Sequence, residues 1–265
     1  MPRPDNPFDF PLHRTRLACM HDIIQRVARG YHYHHTGKIH VGKAARLVEH
    51  LDRKHGVLAG ENERSLLKRR GHPAAVVLLD YDRGLKSQEL DFVLLATSKL
   101  SGENLRDARF DGLVWRGIYK LHPKQRIGKR EAEEFLRGRK RLTWTWSLTA
   151  EAYQQWEAGL TLKASWRSAD ALNATLNALD NVPGFAGVRS QKKRLIRTAK
   201  ASWARSHRSS QSVPPNWPEQ VTWVRKVAYY DNPPLTLYRL NRCLLGTANA
   251  TSKSGSALGQ PEAKD

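Results

Sequence analysis

Acid is scarce in this sequence beside base. Twenty-five Asp and Glu stand against 45 Lys and Arg, a formal net charge of +20 with a pI near 10.3. A surplus that large repels itself in the compact state, so it points to a polyanionic partner. Long apolar runs are also missing. AAVVLLDY and FVLLAT fall far short of the roughly 18 to 20 residues a membrane span needs. The opening MPRPDNPFDFPLHR has no apolar h-region, so no secretory signal is expected. Cysteine is nearly absent. Cys19 and Cys243 lie too far apart for a disulfide framework or for paired zinc ligands. These absences set aside membrane and secreted classes and leave a cytoplasmic, nucleic-acid-binding chain as the expectation, with no metal and no cofactor.

What is present supports a packed core, since 40 % of residues are hydrophobic and eight are Trp. LACMHDIIQRVARG carries Leu17, Met20, Ile24 and Val27 at helical spacing up to Gly30. GYHYHHTGKI alternates like a strand. In VGKAARLVEHLDRKHG, Val41, Ala44, Ala45, Val48 and Leu51 share one helical face, with Gly56 at the cap position. Residues 57 to 72 are polar and predict a loop. PAAVVLLDY and ELDFVLLATS predict two buried strands joined by the turn DRGLKSQ. SGENLRDARF allows a short helix capped by Ser101. DGLVWRGIYKL and LTWTWSLT predict two more strands, and Trp144 and Trp146 share a face suited to core packing or to base stacking. Three helices follow from Thr149 onward. VTWVRKVAYY and LTLYRLNRCLL predict a late strand pair around DNPP, and the tail from Gly246 is too polar to pack.

From residue 30 to 122 this order reads strand, helix, strand, strand, short helix, strand. It is an α+β, ferredoxin-like βαββαβ layout of the kind found in many RNA-binding domains. The expected organisation is a ferredoxin-like domain over residues 1–165, a basic helical finger over 166–215, a returning strand pair over 216–245 and a disordered tail over 246–265.

Between Asp180 and Glu219 there is no acid, yet Arg189, Lys192, Lys193, Arg194, Arg197, Lys200, Arg205 and Arg208 occur. Arg189, Lys193, Arg197 and Lys200 form a stripe opposite Leu195, Ala199 and Trp203. Such a stripe matches a run of phosphates; most charge runs are merely solvated, but the complete exclusion of acid favours contact with nucleic acid. The basic stretch 124 to 141 is a second candidate, interrupted by Glu131, Glu133 and Glu134.

GYHYHHTGKIH concentrates chemistry-bearing side chains. Histidine can serve as acid or base near neutrality, and Lys38, Arg239 or Arg242 can supply a cation for a phosphorane. His32, His34, His35, Lys38 and Arg242 are therefore the catalytic candidates for metal-free RNA cleavage, with Arg239 added to the binding set. A polar edge strand accounts for the same residues without catalysis. A His-x-His pair with Tyr229 and Tyr230 also suggests a metal-dependent DNA-nicking enzyme, although a zinc site would need more ligands than the segment holds.

A ferredoxin-like unit with a His/Tyr/Lys cluster beside its first helix, followed by a basic helical segment and arginine-bearing strands, resembles the CRISPR repeat-processing endoribonucleases of the RAMP superfamily, including type IV variants. The resemblance spans roughly residues 28 to 245 and is one of layout. It implies an RNA partner, structured or single-stranded repeat, a metal-independent cut leaving a 2′,3′-cyclic phosphate, and a place in a multi-subunit ribonucleoprotein of antiviral defence. The alternative class is a non-catalytic DNA-binding protein of a plasmid or conjugative element.

Overall fold

The computed structural model describes residues 6–13, 15–81, 88–124, 142–166, 169–208, 213–224 and 227–243. A 3-10 turn, Pro7–Asp9, leads into α1, Arg16–Ala28. Then come β1 (Tyr33–His40), α2 (Val41–His55), α3 (Glu61–Arg69), β2 (Ala75–Asp80) and β3 (Glu89–Ala96). The two-residue β4 (Arg106–Asp107), β5 (Leu113–Trp115), β6 (Tyr119–Pro123) and β7 (Trp144–Leu148) follow. Three helices come next: α4 (Ala150–Ala164), α5 (Asp170–Asp180) and α6 (Ala186–Ser206). The fold is mixed, α+β in kind, with antiparallel pairing between β1 and β4 and through β5, β6 and β7. Strand order is β2-β3-β1-β4 in one sheet and β5-β6-β7 in the other.

The chain divides into two compact units. One comprises Met1–Cys19, Gly37–Leu94 and Ala228–Asp265, the other Met20–Thr36 and Leu95–Val227. In the first, α2 buries Val41, Ala44, Ala45, Val48 and Leu51 and stops at Gly56, whose φ of 61° is the left-handed cap a glycine accepts freely. All six residues of β2 are buried, as the unbroken apolar run requires. In the second, Trp146 is fully buried and its indole N–H donates to the Met20 carbonyl at 3.1 Å. Trp144 and Leu148 lie on the same buried face, so the alternating tryptophans are core. The opposite face of β7 is covered by α6, which packs on both β7 and α4.

Several expectations are corrected. The polar loop over 57–72 contains α3, which has no buried residue; Glu61 and Glu63 at its start and Lys68 and Arg69 at its end suit the helix dipole instead. No helix forms at Ser101; residues 101–110 are turns and β4. The single strand expected over 111–121 is a hairpin, β5 and β6, turning at Arg116 and Gly117, both at positive φ. The late strand pair is absent among the described residues: 221–224 is irregular and 237–243 is helical. The segment 166–215 is no separate finger, because α6 is packed against β7 and α4. The turn over 82–87, the basic stretch over 125–141 and the tail from Gly246 lie outside the described residues.

Candidate nucleic-acid interface

Helix α6 has 21 residues, about 31 Å of rise. Its buried face is Val188, Lys192, Leu195, Ala199, Ser202 and Trp203. That spacing leaves Arg189, Lys193, Arg197 and Lys200 together on another side. The four cations of the expected stripe thus share one side of the helix, whereas Lys192 of the expected binding set does not join them. Lys192 sits among the apolar residues, 1 % exposed, and its Nζ donates to the Asp180 carbonyl at 2.8 Å. Burial lowers its pKa, with the Asp180 charge opposing. It ties α6 to the end of α5.

The stripe is faced by residues 213–224, an irregular strap. Asn216 N–H donates to Asn173 Oδ1 at 2.8 Å, and Thr222 Oγ1 reaches the Asp180 carboxylate at 2.7 Å. Val224 N–H donates to the Gly184 carbonyl at 3.2 Å. A Cβ on Gly184 would collide with the Thr222 carbonyl, so glycine is what lets the strap approach the start of α6. Held this way, the strap presents two tryptophans to the cations. The Arg189 guanidinium lies 3.1 Å over the centre of the Trp223 ring, and Lys200 Nζ is 5.5 Å from that of Trp217. Arg189, Lys193 and Arg197 on one side and Pro218, Trp223 and one carboxylate, Glu219, on the other bound an open groove of about 450 Å³. Trp223 remains 69 % exposed. An exposed indole backed by a guanidinium offers a base a flat surface and a phosphate a charge, side by side. Arg194, Arg205 and Arg208 are also exposed. Arg205 lies in the last turn of the helix, which also carries Trp203, stacked on His207.

The histidine segment is arranged differently. His34 is 4 % exposed, and burial drives its pKa down to about 4, against the pull of the His32 backbone and of Asp111 and Asp107. It is neutral at ordinary pH. His35, the next residue on β1, is exposed, and His32 precedes the strand, stacked on Trp144 with centroids 5.7 Å apart. Tyr33 lies against Arg109, which is clamped to the Asp107 carboxylate at 2.6 Å. Lys38 pairs with Glu89 at 3.5 Å. Arg239 and Arg242 are exposed on 237–243, Arg242 over the Tyr238 ring. Tyr229 and Tyr230 pack beside buried His13, whose Nδ1 is 3.0 Å from the Leu79 carbonyl. Among the described residues no group of three or more His, Cys, Asp and Glu is placed to hold a metal.

Trp217 and Trp223 escape a reading of the sequence because the first lies in what looks like a linker and the second in what looks like a strand. Their signal was there: two indoles just beyond an acid-free helix. Compared with family models, curated proteins and solved structures, the chain matches none.

Proposed function

We propose that the chain binds nucleic acid, RNA in the first place, along the groove between α6 and the strap of residues 213–224. The observation that carries this is the pairing of stripe cations with indoles, Arg189 with the exposed Trp223 and Lys200 with the half-buried Trp217. Cations alone attract any polyanion; cations alternating with stacking surfaces suit an unpaired strand. The net charge of +20 supplies the long-range attraction. The strand order β2-β3-β1-β4 supports a ferredoxin-like reading of the first sheet, with the second helix of the βαββαβ pattern replaced by turns. On that layout the finer proposal is a processing factor for CRISPR repeat RNA within a ribonucleoprotein.

The experiment is a salt titration. Arg189, Lys193, Arg197 and Lys200 changed together to Ala should weaken binding of a single-stranded RNA by orders of magnitude. The slope of log K against log salt should flatten by about 3, near 0.7 per lost phosphate contact on a single strand. An unchanged slope places the phosphates elsewhere and ends the proposal. A preference for duplex DNA over the strand would favour the plasmid DNA-binding class instead.

A further inference from the structure

A second side of α6 closes over a different chemistry. Strands β6 and β7 pair antiparallel with His122 opposite Thr145 and Lys120 opposite Ser147. His122 and Ser147 are thus diagonal neighbours on one sheet face. The His122 Nδ1 lies 2.7 Å from the Pro123 carbonyl, and its Nε2 lies 2.8 Å from Ser147 Oγ. A carbonyl can only accept, so that contact puts the proton on Nδ1 and leaves Nε2 to accept from the serine hydroxyl. This is the relation of a hydroxyl nucleophile to an oriented base. Both side chains line an open pocket of about 460 Å³, together with Lys124 and Arg194, and no carboxylate is among its described lining residues. Gly187, in the first turn of α6, keeps the serine approachable, since a Cβ there would collide with Ser147 Oγ and the Trp146 carbonyl. Arg194 is one residue from Lys193 of the stripe groove, so both openings lie along one helix.

We infer that this pocket is a catalytic site in which Ser147, activated by His122, attacks a phosphodiester held by Lys124 and Arg194. The substrate class rests on the nucleic-acid reading above. In the first step the Ser147 Oγ–P bond forms and the bond from phosphorus to the leaving sugar oxygen breaks. The serine proton passes to His122 Nε2 and then to the leaving oxygen. Water, deprotonated by His122, next attacks phosphorus; the Oγ–P bond breaks and the serine regains the proton. One water is consumed, and the products end in a hydroxyl and an ordinary phosphate. No ribose 2′-OH takes part, so no cyclic phosphate forms. Lys124 and Arg194 face the charge that develops on the non-bridging oxygens.

The test uses the full chain and a tagged fluorophosphonate, which labels an activated serine by the same bond formation whatever the natural sequence preference. Peptide mapping should find the label on Ser147. Labelling should vanish in Ser147→Ala and slow at least roughly 100-fold in both His122→Ala and His122→Gln, the latter keeping a side chain that can hydrogen-bond across the strands. An unlabelled Ser147, or a rate unmoved by the His122 changes in variants whose melting temperature matches wild type, overturns the inference. Binding of a single-stranded RNA by the wild-type chain is measured in parallel. Strand binding without Ser147 labelling removes this inference and leaves the proposed function standing. Labelling in a protein that binds no nucleic acid removes the phosphodiester as substrate, and with it the proposed function.

Discussion

Two residues separate what burial does to a charged or polar side chain from what exposure does. His34 has a folded pKa of about 4 against 6.5 when unfolded, so protons bind the unfolded chain first. Its contribution to stability is fully present above about pH 6.5, is lost progressively as pH falls to about 4, and is then spent. The shift corresponds to roughly 3 kcal/mol at most. Urea unfolding at pH 7 and pH 4 should therefore show wild type losing more stability than His34→Phe, a variant that keeps a ring and cannot titrate. Equal losses would mean that the imidazole is solvated in solution. Trp223 is the opposite case. At 69 % exposure it adds little to folding, yet it covers Arg189. Trp223→Ala should leave the melting temperature almost unchanged while weakening strand binding by about 1 to 3 kcal/mol, measured by fluorescence anisotropy.

Helix α6 joins three faces, one buried, one on the cation–indole groove and one on the Ser147 pocket. Its first turn has to lie directly on β7, which makes Gly187 a packing requirement. Gly159, inside α4, has nothing within 4 Å of where a Cβ would stand. The two glycines should respond oppositely to alanine. Gly159→Ala should stabilise by about 0.4 to 1 kcal/mol through the loss of unfolded-chain freedom. Gly187→Ala should cost about 1 to 3 kcal/mol, since backbone and a strand side chain must shift. Chemical denaturation of both variants checks the pair, and a stabilising Gly187→Ala would show that α6 does not sit against the strand in solution.

Charge acts over the whole molecule with opposite signs on folding and on binding. The Debye length falls from about 10 Å at 0.1 M salt to about 3 Å at 1 M. Screening should relieve the self-repulsion of a +20 chain, so sodium chloride should raise the melting temperature of the free protein. The same salt should weaken its complex with a nucleic acid strand. Scanning calorimetry of the free protein across that range tests the first half. A falling melting temperature would mean that favourable ion pairs outweigh the net repulsion.

Local pattern was enough for much of this protein. Periodicity located α1, α2 and the three helices after Thr149, because an amphipathic helix announces its buried face through residues three and four apart. Composition was enough to point to a polyanion, and the acid-free stretch marked α6. Lys192 was legible in principle, since it falls four residues after Val188 and three before Leu195 on the buried face; counting charges alone hid it. Other features depend on partners distant in sequence. Whether 111–121 forms one strand or a hairpin is decided by pairing with β7, and Arg116 carries a positive φ that no residue preference announces. LTLYRLN has strand-like composition, yet it is helical from Leu237 onward. The indoles of the strap gain a role only when Gly184 and Asp180 hold them against α6. His122 and Ser147 are 25 residues apart and share no motif; antiparallel register and the first turn of α6 put them in one pocket. A helix carries its pattern within itself, whereas a pocket is made of contacts between segments that the linear order keeps apart.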